Sequence, residues 1–66
     1  MIVYERLWKT LEQRNITTYQ LRNHLHFSKG QIDRLKNNAN VEMITIDKLC
    51  RLLKCRIEDI AEYIED

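Results

Sequence analysis

The 66-residue chain has no proline, one glycine and five aromatic residues: Trp8, Phe27 and three tyrosines. Without proline and with Gly30 alone, long irregular loops and tight glycine hairpins are disfavoured, which points to helices joined by short connections. The longest apolar run near the start, Met1 to Tyr4, is broken at once by Glu5 and Arg6. It is too short for a membrane span or a secretory signal, so a cytoplasmic protein with no membrane partner is expected. No glycine-rich phosphate loop, nucleophile elbow or paired carboxylates in a plausible cleft can be found, so no catalytic residue is assigned and the chain is not expected to be an enzyme.

Cysteine is also scarce. Cys50 and Cys55 have four residues between them, unlike the two intervening residues of most zinc sites, and Cys50 falls in an apolar helical stripe. His24 and His26, two apart at a helix end, point in different directions. Neither metal nor cofactor is expected, and both cysteines read as small core residues in a reducing compartment.

What the chain does have is 44% apolar and 32% charged residues, a globular composition. One small domain over residues 1–66 follows, burying about 60% of its unfolded surface and therefore of marginal stability. The net charge is only +1, but it is unevenly spread. Residues 14–40 hold five bases (Arg14, Arg22, Lys29, Arg34, Lys36) against Asp33, a net +4. Residues 58–66 hold five acids and no base, a net −5. A polyanion is drawn to the middle of such a chain and repelled by its end.

One local signal is written twice, eleven residues apart. In Thr17-Thr18-Tyr19-Gln20 and Ser28-Lys29-Gly30-Gln31 a hydroxyl stands three residues before a glutamine, the pattern of a capping box. Each predicts a helix start, so two short helices are expected over about 18–25 and 29–36. Ile16, Leu21, Leu25, Phe27, Ile32 and Leu35 supply their apolar side. Such a pair is a helix-turn-helix, which presents its second helix to the DNA major groove. Around it, Tyr4, Leu7, Trp8 and Leu11 mark a first helix ending near Arg14, with Asn15 as a left-handed cap. Residues 37–40 read as a loop. Ile46, Leu49, Cys50 and Leu53 mark a fourth helix capped by Thr45, and Ile57, Ile60, Ala61 and Ile64 a fifth. The expected fold is all-α, with five helices.

The run ITTYQLRNHLHFSKGQIDRL (residues 16–35), with LCRLLKCRIEDI (49–60) after it, resembles the Cro/C1-type (Xre-like) helix-turn-helix family of small bacterial and phage regulators. The resemblance implies a lambda-repressor-like domain that regulates transcription by binding double-stranded DNA as a homodimer on a palindromic operator. RNA polymerase or another regulator would be a further partner. Three positions depart from the family pattern: Arg22 stands where alanine is usual, and His26 and Asn38 where glycine is usual. Arg22 fits if its stem packs and its charge reaches outward, while His26 must take positive φ.

By family position, Lys29, Gly30, Gln31, Asp33 and Arg34 match the residues that face base edges. Their chemistry suits the role: Lys29 and Arg34 can donate to guanine, Gln31 can pair with adenine and Asp33 can accept from cytosine. Gln31 has a rival use in its capping box, Asp33 in a helix-surface pair with Lys29 or Lys36, and Gly30 a low cost in a first helical turn. Thr17, Thr18 and Ser28 at helix starts, and Lys36, Asn37, Asn38 and Asn40 in the loop beyond, are the candidates for phosphate. Arg22 either approaches a phosphate or pairs with Glu5 or Glu12. Two dimer surfaces offer themselves, the Met1–Tyr4 tip in extended form and the region near Tyr63. The rival class is a helix-turn-helix that docks a protein, as an adaptor or antitoxin-like module, without specific DNA binding.

Overall fold

The computed structural model describes residues 1–66. In chain order it contains β1 (Ile2–Val3), α1 (Glu5–Gln13), α2 (Thr18–Asn23), α3 (Lys29–Lys36), α4 (Met43–Leu53), a single 3₁₀ turn (Ile57–Asp59) and β2 (Glu62–Tyr63). Helices α1 to α4 lie where the apolar periodicity puts them. Their inward faces join Tyr4, Leu7, Leu11, Leu21, Phe27, Ile32, Leu35, Ile46, Leu49, Leu53 and Ile60 in one core. Asn15, His26 and Asn38 all have positive φ, as their turn positions require; Lys54, the left-handed cap of α4, joins them.

The fifth helix does not form. After the turn at Ile57–Asp59, which is started by Arg56 N–H donating to Asp59 Oδ2 (3.0 Å), the chain extends. Glu62 and Tyr63 then pair antiparallel with Val3 and Ile2. The cause is the company of the N-terminal segment. A last helix would bury Ile57 and Ile64, but only Ile60 is needed to close the core, and the unpaired backbone of residues 2–3 offers ladder hydrogen bonds to residues 62–63. The fold is therefore mostly helical, with four helices and a small antiparallel strand pair. Within the Met1–Tyr4 tip, weighed above as a dimer surface in extended form, Ile2 and Val3 pair within their own chain instead, and Val3 and Tyr4 are buried.

Two boundaries also move. Helix α2 stops at Asn23 rather than Leu25, because His24 and Leu25 both donate to Gln20 O and the chain then turns through His26. Helix α4 begins at Met43, with Glu42 at its cap and no side-chain capping bond. Thr45 is not the cap; it is buried inside the first turn, its hydroxyl turned toward α3.

Long-range bonds hold the ends of this frame. Tyr4 N–H donates to Asn38 Oδ1 (2.9 Å), and its hydroxyl donates to Ala39 O (3.0 Å), fastening the loop after α3 to the N-terminal strand. Thr10 Oγ1 donates to Asp59 O (2.7 Å), and Arg14 Nε to Leu53 O (2.7 Å). No helix is long and apolar enough to cross a membrane.

Candidate nucleic-acid interface

Both capping boxes close in full. Gln20 N–H donates to Thr17 Oγ1 (3.2 Å) and Thr17 N–H to Gln20 Oε1 (2.8 Å). Gln31 N–H donates to Ser28 Oγ (3.1 Å) and Ser28 N–H to Gln31 Oε1 (2.9 Å). Between the boxes, Phe27 N–H donates to Leu21 O (3.0 Å), and the Phe27 ring is buried beneath the Lys48 ammonium, 4.5 Å from its centroid. Local chemistry fixes where each helix starts, and the buried ring fixes how they meet.

Helix α3 stands as a ridge between two clefts. On the α2 side a cleft of about 400 Å³ is lined by Thr18, Tyr19, Arg22, Asn23, Lys29, Asp33 and Lys36, with Ile32 at its base. On the α4 side a polar cleft of about 310 Å³ is lined by Gln31, Arg34, Asn40, Val41, Glu42 and Thr45. The residues expected to read bases are thus divided: Lys29 and Asp33 on one flank, Gln31 and Arg34 on the other, Gly30 between them. The helical period of about 100° per residue produces this division.

The Gln31 side chain is occupied. Its Oε1 accepts from Ser28, and its Nε2 lies 3.5 Å from Thr45 Oγ1. Asp33 forms no ion pair with Lys29 or Lys36, nor does Arg22 with Glu5 or Glu12. All four ion pairs lie outside residues 14–40: the N-terminus with Asp66, Arg6 with Glu62, Arg51 with Asp47 and Arg56 with Glu58. Arg22, Lys29, Arg34 and Lys36 are exposed on α2 and α3 with no anionic partner. The acidic C-terminal segment spends its charge elsewhere, on Arg6, Arg56 and the chain's own amino group.

Gly30 has no steric reason within the fold. A methyl group there would lie 3.7 Å from Arg34 Nη1 and 3.9 Å from Ser28 Oγ, ordinary contact distances, and its φ is not positive. The missing side chain keeps the first turn of α3 bare and open to something outside the protein.

The candidates for phosphate differ in their freedom. Thr17 and Ser28 are exposed but hold amides through their hydroxyls, and Thr18 lines the larger cleft. Lys36 lines the same cleft, and Asn40 the smaller one. Asn37 Nδ2 donates to Asp33 O (2.9 Å) to end α3, and Asn38 Oδ1 is held by Tyr4. Two residues of the cleft, Tyr19 and Asn23, were not among the expected contacts. Their signal was present in their spacing with Arg22 along one exposed face of α2. Tyr19 is exposed and meets His24 edge-on, with centroids 6.1 Å apart.

Cys50 and Cys55 are free, half-buried thiols. Burial pushes the Cys55 thiol above its usual range, and the neighbouring Cys50 and Asp59 add to the effect. No group of three or more histidine, cysteine or acidic side chains is placed to hold a metal ion.

Two capped helices at a tight turn, with a bare-fronted second helix and a face of unpaired cations, define a helix-turn-helix of the DNA-binding class. The sequence profile of the Cro/C1-type HTH DNA-binding domain matches residues 6–66, and the chain belongs to that family. A crystal structure of the transcriptional regulator VanUg superposes with a TM-score of 0.90 at 31% sequence identity, covering 98% of this chain and 87% of the other. No curated protein sequence matches the chain.

Proposed function

We propose that the chain is a sequence-specific, double-stranded-DNA-binding transcriptional regulator that lays α3 in the major groove. Lys29 and Arg34 read guanine edges from the two flanks of the helix, and Asp33 accepts from cytosine. Gly30 lets the backbone approach the bases. Gln31 serves as the cap and not as a reader. Thr17, Thr18, Ser28, Lys36 and Asn40 hold phosphates together with Arg22, and Asn37 and Asn38 shape the loop that lies along the backbone. The chain acts in the cytoplasm as a symmetric homodimer on a palindromic operator, and no catalytic step is assigned to it.

The observation that carries this reading is the set of four cations on α2 and α3, Arg22, Lys29, Arg34 and Lys36, that no carboxylate of the chain neutralises. With the ion pairs all formed elsewhere, this face keeps a net positive field, four cations against Asp33 alone, which suits a phosphate backbone. A module that docked a protein through another surface would have no use for it.

Selection from a random duplex library tests the reading directly. An enriched site with two inverted halves is expected, and for about four neutralised phosphates per subunit log K should fall with log salt at a slope of about −3.6 per subunit. Recovery of no preferred site, with no duplex binding at low salt, would refute it.

A further inference from the structure

The chain's two cysteines are nucleophilic groups that the cation-bearing face leaves unused. They meet at the C-terminal turn of α4. Cys50 O accepts from the N–H groups of both Lys54 and Cys55, the latter at 3.1 Å. With Lys54 left-handed, the chain folds back so that residue 55 lies over the last turn, an arrangement that brings side chains at these two positions together. Residues joined by a backbone bond have Cα atoms about 5–6 Å apart, inside the span of a disulfide. The thiols also interact: after burial, the neighbouring Cys50 does most to keep the proton on Cys55.

The same turn is held from outside. Arg14 Nε donates to Leu53 O (2.7 Å) and Arg14 Nη2 to Lys54 O (3.4 Å), so α1 fixes the backbone between the two sulfurs. Both cysteines pack against the core, yet each is only half-buried, which leaves a small oxidant a way in. Packing asks only for two small apolar side chains here. A facing pair of thiols adds a chemistry that the fold does not need.

We infer that Cys50 and Cys55 are a redox-sensitive pair that closes an intramolecular disulfide when a hydroperoxide is the oxidant, and that this bond stabilises the domain. One thiolate attacks the peroxide: an S–O bond forms, the O–O bond breaks, and the hydroxide released takes up the thiol's proton as water. The second thiol then displaces that oxygen. An S–S bond forms, the S–O bond breaks, and a second water leaves. Two thiols and one hydrogen peroxide thus give one disulfide and two waters, with two electrons passing from sulfur to peroxide. A dithiol reductant reverses the closure by exchange.

The closed bond ties residue 55 to α4 and removes freedom chiefly from the unfolded chain. A domain this small feels such a constraint strongly, because its own core leaves it marginal. No other internal pairing competes, since the chain has no third cysteine. Burial, by holding the proton on Cys55, keeps the pair open until oxidant accumulates. Disulfides that form in a reducing compartment are usually of this transient kind. The inference concerns the end of α4 and stands whether or not α3 binds DNA.

Treatment of the reduced full chain with a small excess of hydrogen peroxide tests it. Titratable thiols should fall from two to none, and the intact mass should drop by two hydrogens while remaining that of one chain. The melting temperature should rise by about 10 °C on oxidation and return with dithiothreitol. Cys50→Ala and Cys55→Ala, each left with one thiol, should show no rise after the same treatment. The wild-type comparison decides by itself, so a folding defect in either variant leaves the test intact. Thiols that persist, oxygen gained in place of hydrogen lost, a bond between two chains, or a melting temperature that does not rise would each overturn the inference.

Discussion

Gln31 and Ser28 bind each other twice, each backbone amide donating to the other's side-chain oxygen, so the residue best shaped to read adenine is spent on starting its own helix. The 3.5 Å approach of Gln31 Nε2 to Thr45 Oγ1 turns the rest of the amide toward α4. A residue in this position changes how firmly the recognition helix is held, not what it reads.

Gln31→Ala should therefore cost about 1 kcal/mol of stability, the usual effect of losing a cap. It should weaken binding to every duplex by a similar factor and leave the selected site unchanged. Thermal melts with a repeated site selection measure both effects. A shifted base preference would return Gln31 to the readers.

Gly30→Ala separates stability from binding. The methyl group fits, and alanine is the better helix former, so the variant should melt at a higher temperature, with a gain below about 1 kcal/mol. Affinity for the selected site should fall because the methyl group stands between α3 and the bases. A variant that gains stability with full affinity would mean that the backbone of α3 does not come close to DNA there.

Replacing both Lys29 and Arg34 with alanine should erase preference among sequences while binding to random duplex persists. Arg22→Ala should act differently. It removes one phosphate contact, weakens all duplexes alike and makes the salt slope shallower by about 0.9. Fluorescence anisotropy across a salt series distinguishes the two behaviours.

The left-handed positions should split. Lys54 caps α4 at φ 51°. Glycine there removes the strain of a side chain in that region, so Lys54→Gly should gain up to about 1 kcal/mol. Asn38 has nearly the same φ, 52°, but its Oδ1 accepts from Tyr4 N–H. Asn38→Gly frees that amide and should lose about 1 kcal/mol. Denaturant melts of the two variants should move in opposite directions.

Cys55 sets a limit at alkaline pH. Its thiol keeps its proton longer in the fold than in the unfolded chain. The stability it contributes is complete below about pH 8.5, where the unfolded thiol is still protonated, and is lost as pH rises toward the folded value. Denaturant melts at neutral and alkaline pH should show a loss that is smaller in Cys55→Ala.

How much the sequence determined follows from the range of each interaction. The bounds of α3 and the starts of α2 and α3 were legible, because a capping box is complete within four residues. The left-handed cap at Asn15 was legible locally, and the excess of positive charge over residues 14–40 directly, whereas the left-handed turns at His26 and Asn38 followed from the glycine usual at those positions in the family the chain resembles. What Ile57 to Ile64 would do was not legible. Their spacing suits a helix, but Glu62 and Tyr63 adopt the strand that Ile2 and Val3 offer from the far end of the chain. Only the tertiary structure could place Thr45 against Gln31, withdraw Asn38 to Tyr4, or pair the acids of the C-terminus away from Arg22, Lys29, Arg34 and Lys36. Those outcomes depend on groups brought together by packing, and no local pattern encodes them.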